Sequence, residues 1–238
     1  MRILLSLIAA LLLASCGGGS GNSSAPAAPV ATAKAPAGQQ WTDVYTKTGD
    51  GWVKQGNPDA PIKLVEYGSR SCPVCGAFAA TGTEPLREKY IKTGQVSWEF
   101  RDFLVHPQDL GVALLGRCVS TETFFPILDA MYANQQAFND KLTPESYEQF
   151  KNLAPLDQAR AMVKFLGYDQ LMKQSGISDA QMAQCITQPK MDVLMKQLEE
   201  AANVKKVSGT PTFFVNDKVV DGPTWAALET ALQQAGAH

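Results

Sequence analysis

Cys72-Pro73-Val74-Cys75 stands at the join between a β-rich run, residues 62–67, and a stretch of helical patterning. That join constrains the chain more than any other feature. A strand that gives way to a helix within a few residues must bury its apolar positions under that helix. The run is bounded by Pro61 and Gly68, and Ile62, Leu64 and Glu66 share one face by the period of two. Pro73 suits a first helical turn, where its missing N–H has no intrahelical partner to lose. The helical pattern passes through Ala77, Phe78 and Ala79, is interrupted near Gly82 and Pro85, resumes over 86–91 and stops at Gly94. A second strand over 96–103 sets Val96, Trp98 and Phe100 on one face. Strand, helix and strand at this spacing make a right-handed βαβ unit, so the fold class is α/β.

Beyond this unit the pattern changes. From Pro107 to about Val204 apolar residues recur at spacings of three and four, as in Phe124, Leu128 and Met131, and again in Met191, Leu194 and Leu198. This predicts a helical subdomain, residues 107–204, inserted into an α/β core whose two parts cover 41–106 and 205–238. Strand character returns at 212–215. Asn216-Asp217 supplies a turn to a paired strand over 218–220, and a last helix runs over 225–232.

At the N-terminus Arg2 precedes an apolar run, residues 3–13, too short to span ~30 Å of hydrocarbon comfortably. It reads as a secretory signal over residues 1–15. Leu13-Ala14-Ser15-Cys16 resembles the lipobox of bacterial lipoproteins, which implies cleavage before Cys16 and lipidation there. An ordinary signal peptide that happens to hold a cysteine is the alternative. Several acyl chains hold a protein on a membrane stably where one does not. Gly17, in place of an Asp, resembles the pattern for the outer rather than the inner membrane. Residues 16–40 are mostly Gly, Ser, Ala, Pro and Asn, with one charge at Lys34. They bury too little apolar area to offset their ordering and are expected to form a disordered tether. The expected location is therefore the periplasmic side of a bacterial membrane, held by lipid.

Lys and Arg number 21 and Asp and Glu 23, interspersed, so no basic stripe is available to neutralise phosphates. That argues against nucleic acid as a partner. Of the five cysteines, four remain if Cys16 carries lipid, an even number in a compartment that permits disulfides. Four cysteines allow three pairings. Cys118 with Cys185 leaves the short motif intact and is preferred as a structural disulfide; two buried free thiols are the alternative. A zinc site is not expected, because those two cysteines lie far apart and His106 and His238 are the chain's two histidines.

The run Glu66-Tyr67-Gly68-Ser69-Arg70-Ser71-Cys72-Pro73-Val74-Cys75 is followed far downstream by Val207-Ser208-Gly209-Thr210-Pro211-Thr212-Phe213-Phe214. Together they resemble the DsbA-like branch of the thioredoxin superfamily, over roughly residues 57–232. The resemblance implies a thioredoxin-like fold with an inserted helical subdomain, and thiol:disulfide oxidoreductase activity. Exchange requires a thiolate, and a free cysteine titrates near ~8.5. At a helix start Cys72 meets unpaired N–H groups, from residues such as Val74 and Cys75, and the positive end of the helix dipole. Cys72 is expected to be the exposed nucleophile and Cys75, one turn inside, the buried resolving thiol.

The resemblance also implies a cis bond before Pro211 and pairing of Thr210 backbone groups with an extended substrate, with Pro73 and Val74 on the same binding surface. Glu66 is an acid on an apolar strand face. It should resist ionisation and is a candidate proton relay for Cys75, a solvated strand-end glutamate being the alternative. Strong oxidants of this branch carry His where this chain has Val74. The expected reduction potential therefore lies above that of thioredoxin and below theirs. His106 is expected to be a loop histidine, and Arg101-Asp102 structural.

The favoured function is oxidation of cysteine pairs in exported, folding proteins, with no cofactor. The resemblance assigns reoxidation to a membrane quinone-linked partner. A reductase or isomerase of the same fold is the first alternative. Residues 41–57 leave no room for a dimerisation domain, so a monomer is expected. A copper-handling or non-catalytic binding protein is the second, disfavoured because no His–Met cluster lies near the motif.

Overall fold

The computed structural model describes residues 27–238. The signal expected over 1–15, the lipidation at Cys16 and the first part of the tether lie outside the described residues. Two short strands, β1 (Tyr45–Lys47) and β2 (Val53–Gly56), come first. Then follow β3 (Ile62–Gly68), β4 (Val96–Asp102), β5 (Thr212–Val215) and β6 (Lys218–Val219). The order across the sheet is β1-β2-β4-β3-β5-β6. β3 and β4 are parallel, from Ile62 beside Val96 to Gly68 beside Asp102, and the remaining pairs are antiparallel. β1 and β2 went unread in the sequence because strands of three and four residues show too little alternation. β2 gains its place by pairing with β4, Val53 opposite Phe100.

The period of two in β3 divides the sheet's two faces. Ile62 and Leu64 are fully buried on the face covered by α1 (Pro73–Leu86) and by α9 (Trp225–Gln234), near the chain's end. Phe78 of α1 meets Phe213 of β5 at 4.5 Å between ring centres, and Leu228 and Leu232 of α9 complete the layer. Burying each large apolar side chain of this kind contributes about 1.5–3 kcal/mol. Tyr67 points to the opposite face, against Phe214 and Ala201. The break expected near Gly82 and Pro85 does not occur. α1 runs through Pro85 to Leu86, and a π-helical turn, Arg87–Ile91, follows. A proline ring crowds the preceding turn and removes one N–H, and a locally wider helix lets the chain keep its direction.

The helical insertion comprises α2 (Asp109–Gly116), α3 (Phe124–Asn139), α4 (Pro144–Tyr147), α5 (Pro155–Leu166), α6 (Tyr168–Gln174), α7 (Asp179–Ala183) and α8 (Gln188–Asn203). It has a core of its own, with Val112, Met131, Leu166 and Met172 fully buried, and is welded to the sheet by Phe124 and Phe125 of α3. Cys118 and Cys185 are bonded within it. No helix among the described residues is long and apolar enough to cross a membrane.

The segment expected as a disordered tether departs from that reading in its second half. Ala27 N–H donates to Gln234 O, Val30 N–H to Gly236 O and Ala33 N–H to Thr93 O, each at 2.9 Å. Gln95 Nε2 donates to Val30 O and the Trp41 indole to Ala33 O. Backbone groups make most of these contacts, so small-residue composition gave no sign of them.

Candidate active site

β3 ends at Gly68, and residues 69–71 carry the chain to Cys72, which caps α1 in an extended conformation (φ −72°, ψ 121°) with Pro73 in the first turn. This loop has no strand or helix partners for its backbone, so its buried polar groups must be satisfied from outside. The helical insertion does this. Gln135 Nε2 donates to the carbonyls of Arg70 and Cys72 at 3.1 and 3.0 Å, and Asn139 Nδ2 to that of Ser71 at 2.8 Å. Tyr132 Oη donates to Ser69 O at 3.3 Å. Gly76 leaves the space that Gln135 occupies; a side chain there would collide with it. From α2, Asp109 Oδ1 accepts both the Ser69 and Ser71 hydroxyls. Arg70 is fully buried in a 2.7 Å ion pair with Asp102, its guanidinium between the rings of Phe100 and Phe124. Truncating either partner of such a pair would strand a buried charge, a loss of about 3–5 kcal/mol.

The Thr210–Pro211 peptide bond is cis and lies over the motif, with Cys72 Sγ 3.5 Å from Thr210 O. Cys72 is more covered than expected, 6% exposed against 0% for Cys75, because this turn lies across it. Val74 is left exposed beside it. Both cysteines are free thiols, and their surroundings push them in opposite directions. Cys72 is lowered to about 5, first by the Cys75 thiol donating to its sulfur, then by the Thr210 side chain and the N–H groups of Cys75 and Val74, against partial burial. Burial drives Cys75 far up, with Cys72 and the charge of Glu66 adding to it.

Glu66 is 1% exposed, and its Oε2 accepts the Trp98 indole N–H at 3.0 Å. Burial raises its carboxyl to about 8, the Trp98 bond opposing and Asp129 adding. The structure thus brings together Cys72, Pro73, Val74, Cys75, Thr210 and Pro211, with Glu66 beneath. Cys118 and Cys185 are elsewhere, in the insertion. Arg101 and Asp102 part company: Asp102 holds Arg70, while Arg101 pairs with Glu99 and Tyr67 Oη on the other face.

Residues 47–234 match the family model described as Thioredoxin. The chain belongs to the thioredoxin family. A relative from Rickettsia felis, described as a protein-disulfide oxidoreductase, is 27% identical over 197 residues, 81% of this chain and 63% of its own length. The chain therefore spans less than two thirds of that relative's length. A solved structure of a protein-disulfide isomerase from Novosphingobium aromaticivorans is 27% identical, with a TM-score of 0.73 over 78% of this chain and 97% of that one. The structure of α-DsbA1 from Wolbachia pipientis, 22% identical with a TM-score of 0.62 over 77% and 91%, shares the fold.

Sequence reading missed the residues that hold the motif loop: Asp109, Tyr132, Gln135 and Asn139. Asp109, Gln135 and Asn139 are lone polar residues in a helical pattern, which reads as a solvated face, and Tyr132 continues the apolar spacing of Phe124, Leu128 and Met131, which reads as core. One signal was present, since Gln135 follows the buried Leu128 and Met131 at helical spacing and shares their face.

Proposed function

We propose that this chain is a thiol:disulfide oxidoreductase that oxidises cysteine pairs in exported proteins as they fold. The observation that carries the reading is Cys72 at the start of α1 with its sulfur 3.5 Å from Thr210 O and Cys75 fully buried one turn inside, a setting that lowers the first thiol to about 5 and pushes the second far up. A substrate thiolate attacks Cys72 in the Cys72–Cys75 disulfide, and the pair's bond breaks toward Cys75. Cys75 is a poor anion and takes a proton as it leaves. Glu66, still protonated at neutral pH, is the donor within the same buried region. The second substrate thiolate then attacks the substrate sulfur of the mixed disulfide, and Cys72 departs as a stabilised thiolate. Two electrons pass from the substrate pair to the enzyme, and the substrate gains a disulfide.

Stabilising the thiolate stabilises the reduced enzyme, which makes its disulfide more oxidising. Val74 supplies no side-chain donor, so the potential is expected between about −270 mV, as in thioredoxin, and about −120 mV, as in strong oxidants. Thr210 and Pro211, with Pro73 and Val74, form the surface on which an extended substrate lies. The Cys118–Cys185 bond is structural. Lipidation at Cys16 holds the monomer on the periplasmic face, with the outer membrane favoured, and a membrane quinone-linked partner reoxidises it.

Isomerisation is the second reading, favoured by the name of the Novosphingobium neighbour. Equilibration with glutathione buffers separates the possibilities. A potential near or below about −270 mV would replace oxidase with reductase. Rearrangement of a scrambled substrate by the reduced protein, faster than oxidation of a reduced substrate by the disulfide form, would replace it with isomerase.

A further inference from the structure

β3 and β4 run parallel, so the segments leaving their C-terminal ends emerge side by side. One carries Cys72 and the other, residues 103–108, carries His106. Phe103 N–H donates to Gly68 O at 2.9 Å and joins them at the root. Asp109 joins them again further out. Its Oδ1 takes the hydroxyls of Ser69 and Ser71, in the loop leading to Cys72, while its Oδ2 takes the N–H groups of Val105 and His106. The His106 imidazole lies over the same carboxylate. Its Nδ1 is 3.7 Å from Oδ2, buried and without a hydrogen-bond partner, while the side chain as a whole is 37% exposed.

Two charged groups bear on that ring, Asp109 from α2 and Cys72 from the start of α1. Both raise the imidazole above its ordinary value, Asp109 the more, with partial burial opposing. The Cys72 contribution exists only while Cys72 is a thiolate. It vanishes when the Cys72–Cys75 bond forms.

Oxidation of a substrate dithiol delivers two electrons to the enzyme and liberates two protons. One of them replaces the proton that Glu66 gave to Cys75, and Cys72, left as a thiolate, does not take the other. We infer that His106 receives this second proton: its imidazole becomes protonated as Cys72 becomes anionic and gives the proton back when the Cys72–Cys75 bond re-forms. The inference rests on Cys72 being the anionic nucleophile. His106 is then a positioning residue, acting on the sulfur through its charge without touching substrate. Mutual stabilisation of the two charges is reciprocal, so protonated His106 also favours the thiolate.

With two histidines in the chain, proton NMR reads this directly on the full-length protein. His238, beside Gln95 at the opposite end of the sheet, is the internal reference, and His106→Gln assigns the signals. The His106 midpoint should be higher in the dithiol than in the disulfide state. Cys72→Ser should titrate His106 as the disulfide form does. Alkylation of reduced Cys72 by iodoacetamide supplies the second readout. H106Q should react about three- to fivefold more slowly than wild type near pH 5, where the imidazole is charged, and equally fast near pH 8. A merely structural role would not produce that pH dependence. Equal His106 midpoints in the two redox states, with Cys72 alkylating rapidly at neutral pH, overturn this inference and leave the oxidoreductase reading standing. Slow alkylation of Cys72 at neutral pH overturns that reading itself.

Discussion

Cys72 and Cys75 stand free, three positions apart, while Cys118 and Cys185, 67 residues apart, are bonded across the helical insertion. The first pair opens a helix. There the N–H groups of Val74 and Cys75 have no intrahelical partner and turn toward the Cys72 sulfur. The second pair closes helices: Cys118 follows the end of α2 and Cys185 the end of α7. Carbonyls face outward at that end, and Gln181 O, which also accepts the Gln184 N–H, lies 3.0 Å from the Cys185 sulfur. An anion is favoured by the first setting and disfavoured by the second. A cation does approach the second pair, Lys190 Nζ at 3.1 Å from the Cys118 sulfur, on the partly exposed side. The same element thus meets a setting that favours an anion or one that favours a closed bond according to the helix end that holds it.

Four measurements break or sharpen this contrast. Cys72→Ser should reduce dithiol oxidation by at least ~10³-fold with the fold intact by circular dichroism, since no thiolate remains to exchange. The paired change Cys118→Ala with Cys185→Ala should leave most of that activity. It should instead lower the free energy of unfolding by about 4 kcal/mol, on loop entropy for a 67-residue closure. Activity lost from a folded paired variant would erase the division between the pairs.

Glu66→Gln tests the ground beneath the reactive pair. The folded carboxyl titrates about 8, above its unfolded value near 4.5. Between those values the folded state holds a proton that the unfolded state has lost, so Glu66 costs increasing stability as pH rises through that window. The glutamine should stabilise by roughly 2–4 kcal/mol near pH 8 and by almost nothing near pH 4. It should also slow exchange about tenfold by removing the proton donor for Cys75. The smallest effect belongs to Val74→His. One added donor beside Cys72 should raise the potential by a few tens of millivolts, ~30 mV corresponding to ~1.4 kcal/mol. An unchanged potential would mean that side chains at the exposed position 74 do not reach the sulfur.

Legibility followed range along the chain. Alternation put Glu66 with Ile62 and Leu64, and all three are buried on one face, because a strand's two sides are set by its own geometry. The helical stretch 107–204 was legible as helix from its apolar spacing, but its service to the motif loop was not. β1 and β2, and the docking of residues 27–33, escaped because each gains its hydrogen bonds from backbone that is distant in sequence or too short to show a pattern.

By itself the sequence determined where the Cys72 sulfur stands, since strand, turn, proline and helix start are settled within about a dozen consecutive residues. Only the tertiary structure decided what surrounds that sulfur. Asp109, Gln135 and Asn139 reach the motif loop from 38, 63 and 68 residues away, and Thr210 reaches Cys72 from 138. A polar side chain on a helix does not disclose its partner until the path of the chain brings a buried carbonyl or hydroxyl within its reach.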